Sequence, residues 1–440
     1  MRYVVIGAGL SGLAAALRIQ SAGHEVIVLE AGSEPGGRCK LERASNRLAD
    51  LGFIVDTGPE LAASSYRHWL RLAEDAGLSA DIVDAPSQLS FLKQGRPIDI
   101  DLGKPLAAVM TPLVGWRDKL RFVRGVAGML GKIRSVPPFL LDGANLDDPH
   151  MTAEQLAVRA FGSEITHGLL EAVLRPLAGT RGAHISTYLV YYILAEWAQM
   201  KSLLGGLQRL PLTVAAMLDV RYGANVQQVS SGEQGVHVRF TANDGSAQEI
   251  AADKCLIATQ FDDAVRLYPR FEKIDPGYAE QMTFLRMLDL KLAYSVRPAS
   301  RSAMIMCPYR EQRDICVISL SHNKAPDRAP DGHSLFSIFT EHLEYERFAG
   351  MSDEEVLAVI QPQLESLFPE LAGHLIYSRV GRHPRVCMLP TPGYFRRTQQ
   401  LWDAVGQEPR VHLAGDIFNF GSMEAAVSSG NIAADRLMAR

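Results

Sequence analysis

The sequence predicts an α/β fold: a Rossmann-type domain with a parallel sheet, into which an α+β domain is inserted. Three observations predict it. The chain opens on a short apolar β run, Tyr3-Val4-Val5-Ile6. The turn Gly7-Ala8-Gly9-Leu10-Ser11-Gly12 follows at once, opens an Ala/Leu-rich helix, and is succeeded by a second strand, Glu25-Val26-Ile27-Val28-Leu29, ending at Glu30. At 440 residues, finally, the chain is too long for one ordinary core, so two domains are expected.

Each glycine of the turn has its own task. Gly7 makes the tight turn, Gly9 lets the backbone approach a pyrophosphate, and Gly12 lets the helix pack on the strand. The helix start offers unpaired N–H groups and the positive end of its dipole to phosphate. Glu30, with Ala31 beside it, stands where a carboxylate accepts from ribose hydroxyls; its charge disfavours a 2′-phosphate, so NADP is not the expected occupant. A glycine-rich turn without a ligand is the alternative, but strand, helix and acid all fall in the places a dinucleotide requires.

Two further segments favour FAD over NAD. Gly36-Gly37-Arg38 supplies a second turn and a cation for the same diphosphate. Near the other end, Leu413-Ala414-Gly415-Asp416 reads as a last strand closing on an acid, followed by Gly421-Ser422-Met423-Glu424-Ala425 and an Ala-rich helix. A nicotinamide site has no need of this return, whereas the ribityl chain and isoalloxazine of FAD do.

With these segments the chain resembles the flavin superfamily of monoamine oxidases, protoporphyrinogen oxidases and phytoene desaturases. The likeness extends through Asp56-Thr57-Gly58-Pro59, Gly205-Gly206 with Leu210-Pro211, Val226-x-x-Val229, and Leu256-Ile257-Ala258-Thr259, where Gln260 replaces the usual proline. The resemblance implies that Val226 touches adenine, that Asp416 meets the ribityl–diphosphate chain, and that the helix start at Met423 meets the flavin's pyrimidine edge. It also implies a role for Lys291, in Leu288-Asp289-Leu290-Lys291-Leu292: in amine oxidases a lysine on a comparable strand holds a water against flavin N5 and assists reaction with oxygen. A solvent-facing lysine on an alternating strand is the competing reading. Amine oxidases often carry an aromatic cage residue just before their Met-Glu-Gly-Ala; here that position is Ser422, and the sequence reads Met423-Glu424-Ala425-Ala426. Phe161-Gly162-Ser163-Glu164, Leu174-Arg175-Pro176-Leu177-Ala178-Gly179 and Pro392-Gly393-Tyr394 lean instead toward the protoporphyrinogen oxidase and desaturase branches.

The domain pattern follows from where βα patterns stop and resume. Residues 1–80, 205–264 and 406–440 are expected to form the FAD-binding domain, and 81–204 with 265–405 the substrate domain. The first inserted piece reads as mainly helical, with apolar residues at helical spacing over 117–133 and 152–161. The second reads as strands at 288–296, 315–320 and 335–340, then a helix from a Ser352/Glu355 capping box to about Leu367. The alternation Val236-His237-Val238-Arg239-Phe240 adds a strand to the first domain.

Composition narrows the function. A net charge of −4 with no basic aromatic stripe predicts no nucleic-acid partner. Five dispersed cysteines show no metal-ligand spacing and suit a reducing compartment. With no signal-like start and no apolar run near ~20 residues, the cytoplasm is the expected location. The basic, amphipathic stretch 115–124, continuing to Lys132 and Arg134, offers a surface for peripheral membrane contact or is simply a solvated face.

The expected enzyme is therefore an FAD-dependent oxidoreductase taking a hydride from an apolar or cyclic small molecule, with formation of C=C or C=N. Because one dinucleotide fingerprint is present, dioxygen or a quinone is the expected acceptor. The alternatives are an amine or amino-acid oxidase using Lys291, a non-oxidative flavin isomerase or mutase, and a flavoprotein whose cofactor is structural. Arg175, Arg181, His184 and Tyr188 stand as candidates to face the substrate.

Overall fold

The computed structural model describes the chain apart from residues 43–47, 49, 105–109, 137–140, 197, 275–277, 279–281 and 440. Five parallel strands form the first sheet, in the spatial order Val411–Leu413, Lys254–Ile257, Arg2–Ile6, Glu25–Leu29, Asp219–Arg221. The central strand is buried from Tyr3 to Ile6, which is why it reads as a continuous apolar run instead of an alternating one. Helix Leu10–Ser21 covers the sheet, and the last helix, Met423–Met438, crosses it closely. At the crossing a Cβ on Gly430 would come within 2.2 Å of the Ser11 carbonyl oxygen, so this position accepts only glycine without a shift. An antiparallel three-stranded sheet, Asn225–Gly232, Gly235–Thr241 and Ala247–Ala252, lies between the edge strand and Lys254–Ile257 in the chain.

The second large sheet has seven strands in the order Leu375–His383, Met287–Tyr294, Ser334–Thr340, Ile315–Leu320, Met304–Met306, Gln88–Lys93, Arg96–Asp101. Its two faces are sorted by the alternation along Met287–Tyr294. Leu288, Leu290 and Leu292 share a core with Val356, Ile360 and Leu364 of helix Asp353–Leu367. Asp289 and Lys291 occupy the opposite face, with Ser337 across the ladder from Lys291.

The expected strands and helices of both inserted pieces are present, shifted by a residue or two: helices Trp116–Arg134, Ala153–Phe161 and Asp353–Leu367, and strands Met287–Tyr294, Ile315–Leu320 and Ser334–Thr340. The Ser352 hydroxyl accepts from Glu355 N–H while the Glu355 carboxylate accepts from Ser352 N–H, the reciprocal cap that the sequence announced. The first inserted piece is mainly helical, as read, but it also contributes strands that the sequence reading did not include. Gln88–Lys93 and Arg96–Asp101 form a hairpin on the edge of the seven-stranded sheet, closed by Gln94 and Gly95, both at positive φ (51° and 71°). A two-residue turn with that geometry is the one that right-twisted strands favour.

Candidate active site

The glycine turn separates residues the fold itself requires from one that it does not. A Cβ on Gly7 (φ +99°) would meet the Ala258 carbonyl oxygen at 2.9 Å, and one on Gly12 would meet the Gly7 oxygen at 2.0 Å. Gly9 is different: its backbone is extended (φ −74°, ψ 173°), and a Cβ there would touch nothing within 4 Å. The protein's own packing gives no reason for glycine at position 9. A diphosphate laid against the start of helix Leu10–Ser21 does give one, so the cradle fits the group that the sequence implies.

The other predicted segments converge on this turn. Gly9 and Gly36 form an isolated parallel bridge, and Gly36 N–H donates to the Ala8 oxygen at 2.8 Å. A Cβ on Gly37 would reach the Gly9 Cα at 3.4 Å, and one on Gly58 would strike the Arg38 oxygen at 2.0 Å. Arg38 extends a two-pronged ion pair to Asp416 (2.7 and 2.8 Å), which ties the far C-terminal strand to the N-terminal turn. Gly415 N–H donates to Ser429 Oγ at 3.0 Å, and the Ser429 and Ser11 hydroxyls lie 3.5 Å apart. Ala258 and Thr259 end the neighbouring strand against Gly7, and Pro59 follows Gly58.

Glu30 is held at the strand end by two backbone donors, Ala8 N–H to Oε2 (2.7 Å) and Gly32 N–H to Oε1 (2.8 Å), while Ala31 is exposed. The Glu30 carbonyl accepts from Ala224 N–H at 2.8 Å, which brings the strand carrying buried Val226 to the same edge.

The segment 418–425 is committed to structure through most of its side chains. Ser422 Oγ accepts from Ala425 N–H and caps the last helix. The Glu424 carboxylate accepts from His68 and Trp69 N–H (2.9 and 2.8 Å) at the start of helix Arg67–Asp75. Burial pushes this carboxyl up to about 7 in spite of those donors. Met423 and Ala425 are buried. Phe418 packs on Trp402 (ring centroids 4.5 Å) and Phe420 on Tyr192 (4.9 Å).

Lys291 is fully buried, at 0% exposure, so the solvent-facing reading of this lysine gives way. Its Nζ lies 2.8 Å from Glu60 Oε1, 3.0 Å from Asp289 Oδ1 and 2.9 Å from Ser337 Oγ. Glu60 also pairs with Lys324, itself buried, and Asp56 lies 3.3 Å from the Arg328 guanidinium. Burial alone would raise Glu60, yet Lys291 and Lys324 outweigh it and lower the carboxyl to about 2. Burial likewise pulls Lys291 down, but Asp289 and Glu60 keep its ammonium above the ordinary lysine value. Lys324 goes the other way, lowered by burial that Glu60 and Asp56 do not offset. Glu60, Asp289, Lys324 and Arg328 were missed from sequence. Only Glu60 carried a signal, as the acid next to Gly58-Pro59.

Three of the four candidates for substrate contact, Arg175, Arg181 and Tyr188, have partners within the protein. Arg175 is fully buried, pairs with Glu341 at 2.8 Å and donates to the carbonyls of Gln312, Arg313 and Ile315, so it anchors a loop. Arg181 stacks over Tyr309 at 4.2 Å, His184 is exposed, and Tyr188 packs on Phe395 at 4.2 Å.

Comparison with known proteins bears on the fold and the family. A family model for flavin containing amine oxidoreductases matches residues 10–438. A 15-cis-phytoene desaturase of Synechococcus elongatus is 22% identical over 100% of this chain and 96% of its own length. A coproporphyrinogen III oxidase of Propionibacterium freudenreichii (34% identical over 27% of this chain) and a hydroxysqualene dehydroxylase of Rhodopseudomonas palustris (31% over 34%) align more locally. The chain spans only 23% and 40% of their lengths. Among solved structures, putrescine oxidase bound to putrescine superposes with a TM-score of 0.76 at 17% identity, covering all of both chains. Reduced UDP-galactopyranose mutase superposes at 0.73 and 14%, covering 100% of this chain and 95% of the other. These likenesses establish a shared fold.

Proposed function

The chain belongs to the flavin containing amine oxidoreductase family and is an FAD-dependent oxidoreductase; from that premise we propose that it draws a hydride from an apolar or cyclic small molecule, forming C=C or C=N, and passes the electrons to dioxygen or a quinone. FAD supplies the two-electron acceptor for this chemistry at its N5. The residues proposed to hold it are the Gly7–Gly12 turn for the diphosphate, Glu30 for the ribose, Val226 beside adenine, Arg38 and Asp416 along the linking chain, and the backbone from Ser422 to Ala425. Lys291 is proposed to face the reacting atoms, held there by Glu60, which follows Gly58-Pro59.

The observation that carries the apolar reading is the commitment of segment 418–425. The hydroxyl of Ser422 closes a helix end, and Phe418 and Phe420 pack on Trp402 and Tyr192, which supports a site without an aromatic wall for an amine at this stretch. The phytoene desaturase that aligns over the whole chain supports the same substrate class. An amine or amino-acid oxidase using Lys291 is the second reading, favoured by the burial of that lysine.

The deciding experiment is anaerobic. The FAD-loaded protein is mixed under argon with panels of polyenes, porphyrinogens, cyclic ketones and amines, and the flavin band near ~450 nm is followed. Bleaching by an apolar class alone supports the proposal. Bleaching by amines alone transfers it to the second reading, and turnover without net bleaching marks an isomerase.

Helix Trp116–Arg134 adds a proposed site of peripheral membrane contact. Trp116, Leu120 and Val123 are 62%, 66% and 64% exposed, and Leu130 continues their stripe. Arg117, Arg124 and Lys132 flank them, also exposed, and this charge suits anionic headgroups. No helix among the described residues is long and apolar enough to cross a membrane. Cosedimentation with phosphatidylserine vesicles, lost on Leu120→Glu, is the expected result; equal recovery of both proteins in the supernatant overturns it.

A further inference from the structure

Outward from Lys291, the polar face of the seven-stranded sheet carries a line of titratable groups that ends at a partly exposed histidine. Asp289, two residues before Lys291, is fully enclosed; its Oδ1 meets the ammonium at 3.0 Å, while Oδ2 receives no hydrogen bond from a protein donor. His383 Nε2 lies 3.9 Å from Oδ2, and the His383 side chain is 34% exposed. Both ends lie on neighbouring strands, Met287–Tyr294 and Leu375–His383, with Asp289 directly opposite Gly381. That glycine keeps the passage open: a Cβ there would stand 3.0 Å from His383 Nε2 and 3.2 Å from the Asp289 carbonyl oxygen. Its φ is not in the left-handed region, so the backbone does not demand glycine at 381.

We propose that His383 and Asp289 form a proton relay from solvent to Lys291; the proposal rests on the reading that Lys291 serves the reacting atoms. Reduction of dioxygen to hydrogen peroxide, or of a quinone to its quinol, consumes two electrons and two protons. One proton travels with the hydride taken from the substrate, and the proton that the substrate sheds in forming its double bond leaves to water. Lys291 gives up the second, Asp289 passes a replacement to it, and His383 restores Asp289 from water, so all three groups end each cycle as they began. A gap of 3.9 Å is closed by a small ring movement or by one intervening water. An imidazole is suited to the outer position because it exchanges protons near neutral pH.

The charges around the line favour transfer in that direction. Around His383 stand Asp289, Arg379 and Lys291, and burial lowers its pKa, so it releases a proton inward readily. Around Asp289 stand Lys291, Glu60 and His383, and burial raises its carboxyl so that it can carry a proton. Lys291 faces Asp289 and Glu60; Glu60 faces Lys324 as well, with Asp56 behind, and Arg379 is itself neutralised by Glu42 at 2.5 Å.

The test uses FAD-loaded protein and the variants His383→Gln, Gly381→Ala and Lys291→Met. Each is reduced anaerobically with dithionite and mixed with oxygenated buffer or a soluble benzoquinone, in water and in deuterium oxide. His383→Gln and Gly381→Ala are expected to reoxidise about 10-fold more slowly near neutral pH, with a larger solvent isotope effect, and added imidazole restores the rate of His383→Gln. A readout independent of turnover is the NMR titration of the His383 imidazole, whose midpoint is expected to fall when Asp289 is replaced by Asn. If His383→Gln and Gly381→Ala match the wild type while Lys291→Met is slow, the relay is overturned and the role of Lys291 stands. If Lys291→Met also matches the wild type, the underlying reading of Lys291 fails. An unchanged His383 midpoint in Asp289→Asn overturns the coupling directly.

Discussion

Lys291 Nζ and Glu60 Oε1 lie 2.8 Å apart, both out of solvent, and join the seven-stranded sheet to the segment that follows Gly58-Pro59. A buried ion pair of this kind contributes little net stability, because desolvation cancels most of the attraction, but breaking it on one side leaves an uncompensated charge. Lys291→Met is expected to lower stability by ~3 kcal/mol, since Asp289 loses its cation while Glu60 keeps Lys324. It is also expected to slow reoxidation of the reduced flavin more than reduction by substrate. Denaturant melts and stopped-flow traces check the two effects separately; unchanged oxygen rates would remove Lys291 from the reaction and leave it a structural cation.

The two glycines of the turn are expected to fail differently. Gly12→Ala places a methyl 2.0 Å from the Gly7 oxygen and should prevent folding of the unit, whereas Gly9→Ala meets open space. The Gly9→Ala apoprotein should therefore melt within ~0.5 kcal/mol of wild type yet retain little FAD. Thermal melts with and without added FAD check this, and full flavin occupancy in Gly9→Ala would move the diphosphate elsewhere.

Glu30→Gln keeps the shape of the side chain but replaces one acceptor oxygen with a donor, against two backbone N–H groups at 2.7 and 2.8 Å. FAD retention should weaken by about 10-fold, a loss of ~1.4 kcal/mol, with the reaction type unchanged. Equilibrium dialysis of the flavin provides the number, and equal retention would show that the ribose is held by another group.

Glu424 gives a stability dependence with a definite sign. Its folded-state pKa is raised, to about 7, by burial. Between the ordinary carboxylate range and that value the unfolded chain has released the proton while the folded chain retains it, so stability falls as pH rises through this window. The effect is at most ~3 kcal/mol, and Glu424→Gln should flatten it. Melting temperatures between pH 4.5 and 7.5 test this; parallel curves for variant and wild type would mean that the carboxyl is ionised at its helix cap.

Elements whose signals are local were legible. The glycine turn, Glu30 and the Ser352 cap are set by residues within a few positions, and the alternation from Leu288 to Leu292 sorts two faces without outside help. What alternation cannot supply is the occupant of the polar face. Lys291 is buried because Glu60, 231 residues away, meets it, and no periodicity carries a contact of that range. Arg175 misled for the same reason: its carbonyl partners lie more than 130 residues further on. The hairpin of Gln88–Lys93 was a different failure, since the Gln94-Gly95 turn was available and the helical character of the residues beyond it prevailed.

The hydroxyls of Ser11 and Ser429, 3.5 Å apart, are separated by 418 positions in the chain. During biosynthesis at about 5–20 residues per second, the first helix must wait roughly 20–80 s for the segment that completes its surroundings. Once Lys254–Ile257 has been made, its edge that will receive Val411–Leu413 stays unpaired for a further ~8–30 s at the same rate, and Gly430 reaches Ser11 later still. The segment proposed to close the coenzyme site is thus among the last to be made, and until it arrives a strand edge able to pair with another chain is left uncovered.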